Sequence, residues 1–331
     1  MIRFFKEIVF VTTIVLLYLN NGLSQGLIIE EVNPDEHLTL DRQRADVIPK
    51  IASIKKYAPH TLTQQYSTCV AHSLASARTL IYARNNSITD KDKVTGYLFS
   101  PHWIYYNNKE LKDKECAMGL SLSKTIINLN ENGMQYMAFV EYPDHYPFTT
   151  VPLCGFYPPT ISEDQIEAIN YKIDNAYLLK NLEDVKLAIS KGMPVVIGMT
   201  IPKSFSKAIE QKVWSPIDSD TESPTYGHAM LIVGYDDYKY GGSVEILNSW
   251  GTKWGDGGYI WIKYDDFLKY ITSQVFALDA EDQIRFGATS TNEIDSLKNI
   301  DLILSEKLDS STLSKSLLNK EYFLDTIKKR K

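Results

Sequence analysis

The chain has 331 residues, room for one large domain or two modest ones with extensions, and its 44% hydrophobic and 23% charged content is that of a globular protein. A net charge of −6 and the lack of any long basic block exclude nucleic acid as an expected partner. The closing Lys-Lys-Arg-Lys reads as a short solvated end, and no internal repeat or low-complexity tract appears.

In chain order, residues 1–24 read as a signal peptide. Arg3 and Lys6 give a positive start, residues 8–19 are nearly all apolar, and Gly22 and Ser24 are small residues that place cleavage after Ser24. The apolar run is shorter than the about 20 residues of a bilayer span, which argues against an uncleaved anchor. The mature chain is therefore expected to be secreted or periplasmic, with no membrane attachment. Residues 25–44 are acidic and polar and read as a short extension. A folded domain is expected over 45–280.

Residues 74–83, rich in Ala and Leu, predict a helix with Cys69 near its N-terminus. The aromatic stretch 97–106 is expected to line a core. Residues 121–133 predict a helix closed by Gly133, and 160–173 a surface connection. Over 181–201 the pattern gives a helix, then Gly192-Met193-Pro194, then a buried strand. Three strand-like segments follow at 228–237, 243–251 and 257–264, separated by Gly- or Asp-rich turns as in an antiparallel sheet. Residues 281–331 read as a pair of amphipathic helices, with a capping-box pattern at 290–293, expected to pack on the main domain. A helix-rich first half and a strand-rich second half leave a cleft between them as the expected site.

The three cysteines are Cys69, Cys116 and Cys154, an odd number that leaves at least one thiol unpaired within the chain. Cys69 reads three ways: packing, half of a disulfide, or a nucleophile. A nucleophile must be a thiolate, which a helix N-terminus and a nearby imidazolium both favour. Of the six histidines, His60, His102 and His145 read as structural, and His72, one turn beyond Cys69, as pointing into packing. His228 opens an apolar strand with its ring expected to face the cleft. An imidazole in catalysis needs a third group to hold it, and Asn248 can accept its hydrogen bond without adding charge, with Trp250 shielding the pair. The other reading of Asn248-Ser249-Trp250-Gly251 is a plain turn ending a strand.

Gln64 ahead of Cys69-Val70-Ala71, then Gly227-His228-Ala229, then Asn248-Ser249-Trp250-Gly251 with Trp254-Gly255 and Gly258-Tyr259, in that order, resemble the papain-like cysteine peptidases over residues 48–280. The resemblance implies an α+β fold of two subdomains, one helical around Cys69 and one an antiparallel sheet or barrel. It implies Cys69 as nucleophile, His228 as general base and acid, Asn248 as its orienting residue, and an upstream glutamine with the Cys69 N–H as oxyanion donors. It also implies a Cys116–Cys154 disulfide and Gly119 as a substrate-backbone contact, with no metal or organic cofactor and a peptide or protein as substrate.

The chain departs from the family pattern in places. Thr68 and Val70 flank Cys69 where the family has Ser and Trp, and Tyr66 replaces an upstream cysteine. The family's glutamine position falls on Thr63, so Gln64 completes the oxyanion hole only through a one-residue deletion, with Gln65 the alternative. No long helical propeptide precedes the domain. Two rival functions stand beside the peptidase: a papain-like module that binds peptides without cleaving them, and another acyl-transfer enzyme such as a transglutaminase or amidase.

Overall fold

The computed structural model describes residues 26–43, 47–137, 171–221 and 225–281. Residues 1–24, read as a signal peptide, His145, Cys154, most of the expected 160–173 connection and the helices expected beyond residue 281 lie outside the described residues.

The architecture is α+β. Four α-helices lie in the first half of the chain: α1 (Cys69–Asn85), α2 (Lys91–Gly96), α3 (Pro101–Asn108) and α4 (Leu122–Asn132). α1 starts at Cys69 itself, earlier than its Ala- and Leu-rich centre indicates. It is enclosed on nearly every side, as an all-round apolar helix must be, and packs on the central strand of the sheet. Its one buried cation, Arg78, donates from Nε to the Lys172 carbonyl at 2.7 Å and lies over the Phe99 ring. α4 follows local rules: the Ser121 hydroxyl accepts from the Lys124 amide at its start, and Gly133 ends it at φ +70°. The 97–106 stretch does reach the core, with Phe99, Ile104 and Tyr105 buried, but its second half is helical.

Nine strands form one sheet among the described residues: β1 (Leu38–Thr39), β2 (Ile51–Ser53), β3 (Asn175–Leu178), β4 (Val195–Ile201), β5 (Val213–Trp214), β6 (Tyr226–Asp236), β7 (Ser243–Leu247), β8 (Tyr259–Lys263) and β9 (Ile271–Asp279). Their order is β1-β3-β9-β4-β6-β7-β8-β5, with β2 beside β6. The helix α5 (Leu182–Ser190) leads into β4 through the expected Gly-Met-Pro turn. The central strands pair antiparallel, but β1–β3 and β5–β8 pair parallel, so the sheet is mixed rather than wholly antiparallel.

The N-terminal stretch needs a larger correction. Residues 26–43, expected as a short extension, pack against the domain. Residues 26–28 pass between the start of α1 and the start of β6, and residues 38–39 form β1 at the sheet edge. The acidic composition of this stretch hid a short apolar run, Leu27-Ile28-Ile29, which carries the contact.

Candidate active site

His228 lies on β6 opposite Met199 of β4, and Asn248 follows β7, whose Leu247 pairs with Leu231 of β6. Adjacent antiparallel strands thus set the two side chains together, with His228 Nε2 at 2.8 Å from Asn248 Oδ1. The Ser249 amide donates to the same Oδ1 at 2.7 Å. That bond marks the atom as the oxygen, an acceptor only, so the ring proton sits on Nε2. Nδ1 is left bare, with no hydrogen-bond partner among the described residues. The Trp250 ring stacks on His228 at 4.5 Å and 25°, sealing the pair from water. His228 is fully buried rather than facing an open cleft, and burial pushes its pKa down to about 4 against a smaller upward pull from Asn248. The imidazole is therefore neutral near pH 7.

Cys69 faces this group from the head of α1. Its Sγ accepts from the amide of Ala229, the residue after His228, at 3.3 Å. It also accepts from the Gly26 amide at 3.1 Å. Cys69 is wholly enclosed, and burial pushes its thiol up to about 11. The amides of Ala229, Gly26, Val70 and Cys69 pull the other way by less. The helix N-terminus predicts a thiolate; in this form desolvation wins, and the group is a thiol.

Residues 26–29 enclose it. The Leu120 amide donates to the Gly26 carbonyl at 2.8 Å, and the Ile28 amide donates to the Leu120 carbonyl at 3.0 Å. Leu27 and Leu120 thereby form an isolated parallel bridge. Gln274 Nε2 donates to the Ile28 carbonyl at 2.9 Å. The approach is so close that a Cβ on Gly26 would collide with the Ser67 carbonyl, and one on Gly119 with the Gly26 carbonyl. Further along, Glu30 accepts from the Ser121 hydroxyl, His37 Nε2 meets Ser123 Oγ at 2.7 Å, and Arg42 pairs with Asp184 at 2.9 Å.

Two expectations shift by one residue or one contact. Gly119 does not itself bond the occupying backbone. Its amide donates to the Tyr105 hydroxyl at 3.1 Å, and the backbone bonds belong to Leu120. What Gly119 supplies is the missing Cβ and a left-handed φ of +78°. Gln64 is buried in the cleft wall, its amide donating from Nε2 to the Tyr66 carbonyl at 3.1 Å and accepting at Oε1 from the Ser249 hydroxyl at 2.6 Å. Gln65 is exposed, and Thr63 pairs with Trp250. Of the two glutamines only Gln64 is tied to the loop of Asn248.

Two other histidines have local partners. His60 Nε2 meets Asp92 at 2.9 Å, and His72 Nδ1 meets the Thr68 carbonyl at 3.0 Å. Among the described residues no group of three or more His, Cys, Asp or Glu is placed to hold a metal ion, and no helix is long and apolar enough to cross a membrane. Sequence reasoning did not single out Gly26, Leu27, Leu120 or Gln274, none of which sits in a recognisable motif.

The profile of the papain family cysteine proteases matches residues 107–277, just over half of the chain, covering His228 and Asn248 and beginning beyond Cys69. An uncharacterized peptidase C1-like protein of Acanthamoeba polyphaga mimivirus is 25% identical over 239 residues, 70% of this chain and 74% of that protein. The oryzain gamma chain of Oryza sativa subsp. japonica is 28% identical over 127 residues, 38% of this chain and 33% of its own. Among solved structures, xylellain, a cysteine protease from Xylella fastidiosa, superposes with a TM-score of 0.62 at 20% identity, covering 78% of this chain and 96% of its own. The proCathepsin B S9 of Trypanosoma congolense superposes at 0.57 and 14% identity, covering 79% and 88%. The profile spans more than half of the chain, and the chain belongs to the papain family of cysteine proteases.

Proposed function

We propose that this chain hydrolyses peptide bonds through Cys69, His228, Asn248 and Gln64, and that the form described here is its latent one. The observation that carries the reading is the fixed tautomer: Asn248 holds the proton on Nε2 and leaves His228 Nδ1 bare, one residue from an amide that already touches Sγ. With the groove open, Nδ1 takes the Sγ proton and the thiolate adds to the carbonyl carbon of a peptide. The resulting oxyanion is held by the Cys69 N–H and the Gln64 amide. Collapse breaks the C–N bond, the leaving amine takes the proton from Nδ1, and a thioester remains. A water then gives its proton to Nδ1 and its oxygen to the carbonyl carbon. The C–S bond breaks, and Cys69 regains the proton.

Latency follows from what residues 26–29 offer the sulfur. Gly26 presents an N–H to Sγ, while its carbonyl is held by the Leu120 amide. The Gly26 carbonyl is thus tied to Leu120, and the enclosure of the sulfur keeps the thiol protonated. We infer further that the chain is exported by residues 1–24 and that Cys116 bridges Cys154.

The test is an epoxide inhibitor selective for this family, read by intact mass on the chain from residue 25 onward. A slow reaction that becomes a single fast adduct at Cys69 once residues 26–29 are displaced, and that is lost in His228→Ala, supports the reading. The buried neutral thiol also fits a second function, a peptide-binding module without catalysis. That alternative predicts no accelerated adduct after displacement.

A further inference from the structure

We propose that Lys91 is an acyl-acceptor site, whose amine takes a short neutral acyl group, acetyl first, from an acyl phosphate or a thioester. The proposal does not depend on the peptidase reading above.

Strand register builds the surroundings of this lysine. Leu247 of β7 pairs with Tyr259 of β8, so Glu245, two residues before Leu247, stands on the same face of the sheet as Tyr259. Lys55, just after β2, reaches over both. Its Nζ lies 2.7 Å from Glu245 Oε1 and 3.8 Å from the centre of the Tyr259 ring. Lys91, the first residue of α2, brings a second ammonium group to the same ring, 5.6 Å from its centre. It donates to the Tyr259 hydroxyl at 3.1 Å. Burial and the Glu245 charge hold the Tyr259 phenol well above its usual range, so that hydroxyl stays neutral.

Two cations thus meet one buried carboxylate, and Lys55 holds it. Among the described residues Lys91 has no carboxylate within ion-pair distance. Burial lowers its amine to about 8, Lys55 adds to the drop, and Glu245 offsets part of it. Lys186 is the contrast. It too lies near two rings, Tyr235 and Tyr264, but Asp237 accepts from it at 2.9 Å. Only the unprotonated amine attacks a carbonyl carbon. Near pH 7 about one Lys91 in ten is in that form, against about one in 3,000 for a lysine at the ordinary 10.5. Lys91 is half-buried rather than sealed, within reach of a small donor.

The charge count favours the product. The Lys91 nitrogen bonds to the acyl carbon, and the bond from that carbon to sulfur or phosphate oxygen breaks. The leaving group keeps the electron pair, and the proton shed by the amine passes to water. An ammonium without a carboxylate partner becomes a neutral amide, and Lys55 and Glu245 remain as a matched pair. The amide keeps an N–H for the Tyr259 hydroxyl. An acyl group ending in a carboxylate would instead set a second anion beside Glu245.

The test is competitive labelling of the full chain with a trace of acetic anhydride, read lysine by lysine by mass spectrometry across a pH series. A lower pKa also weakens an amine as a nucleophile, so the gain in rate is smaller than the gain in unprotonated amine. Near pH 7 Lys91 should react about tenfold faster than the exposed Lys112, and Lys186 slower than either. The Lys91 rate should level off above about pH 8, while that of Lys112 climbs on. Lys55→Met removes the second cation and leaves Glu245 to Lys91, and should slow Lys91 about threefold near pH 7. Lys55→Arg keeps the charge and the fast rate. With acetyl phosphate as donor, Lys91 should be the first lysine modified. A Lys91 rate no faster than that of Lys112, one that rises in step with it through the series, or one unchanged in Lys55→Met would overturn the assignment. So would another lysine ahead of it with acetyl phosphate. The comparison with Lys112 uses the unsubstituted chain, so a variant that fails to fold cannot hide the answer.

Discussion

The two walls of the cleft are built by different means. On the sheet wall, His228, Asn248 and Trp250 are held by strand register and by neighbours in sequence, and the proton is already in place on Nε2. On the helix wall, Cys69 is wholly enclosed and takes a hydrogen bond from the Gly26 amide, 43 residues away, and burial raises its thiol against the pull of that amide. One wall is preorganised and the other is controlled. The lesson is that an intact set of site residues does not by itself give an active nucleophile: desolvation outweighs a helix N-terminus and four amide dipoles around this sulfur.

The largest effect should come from the controlled wall itself. Cys69→Ala in an opened chain should lower peptide hydrolysis by at least about 10⁴-fold with an unchanged melting temperature. Next is Gln64→Ala, which removes one oxyanion donor and should slow turnover by about 10²–10³-fold, while Gln65→Ala, at an exposed position, should change little. The reverse order would move the donor to Gln65. Third, Gly26→Val adds a side chain where the Ser67 carbonyl stands and should unseat the segment. A thiol that falls two pKa units from about 11 gains about 100-fold in thiolate near pH 7, and alkylation should rise by that factor. The pH profile separates the two states. In the closed chain the rate should climb about tenfold per pH unit toward 11, because only the deprotonated sulfur reacts, and in Gly26→Val it should level off at lower pH. The smallest effect is expected at the rim, where Arg42 and Asp184 form a partly exposed ion pair. Arg42→Ala should loosen the segment by about 0.5 kcal/mol, a roughly twofold gain in alkylation.

Legibility in the sequence followed the same division. The meeting of His228 with Asn248 and Trp250 was readable because strand pairing sets their neighbours locally, and the α4 and β4 boundaries because Gly133 and Gly192-Met193-Pro194 punctuate them. Cys69 was readable as a residue but not in its protonation state, since that depends on a contact with Gly26 that no local pattern announces. Leu120 was missed in favour of Gly119 because a glycine marks close approach, while the hydrogen bonds it permits are made by its neighbour. Gln274 was missed because nothing in a buried strand pattern distinguishes a polar side chain facing a groove from one satisfied inside the core.

The central claim, a competent nucleophile held latent by residues 26–29, is tested most directly by peptide hydrolysis in three chains that start at residue 25: unsubstituted, Gly26→Val, and Gly26→Val with Cys69→Ala. The account predicts hydrolysis that is slow in the first, at least about tenfold faster in the second, and absent in the third. Equal rates in the first two would contradict latency, and equal rates in the last two would contradict Cys69 as the nucleophile.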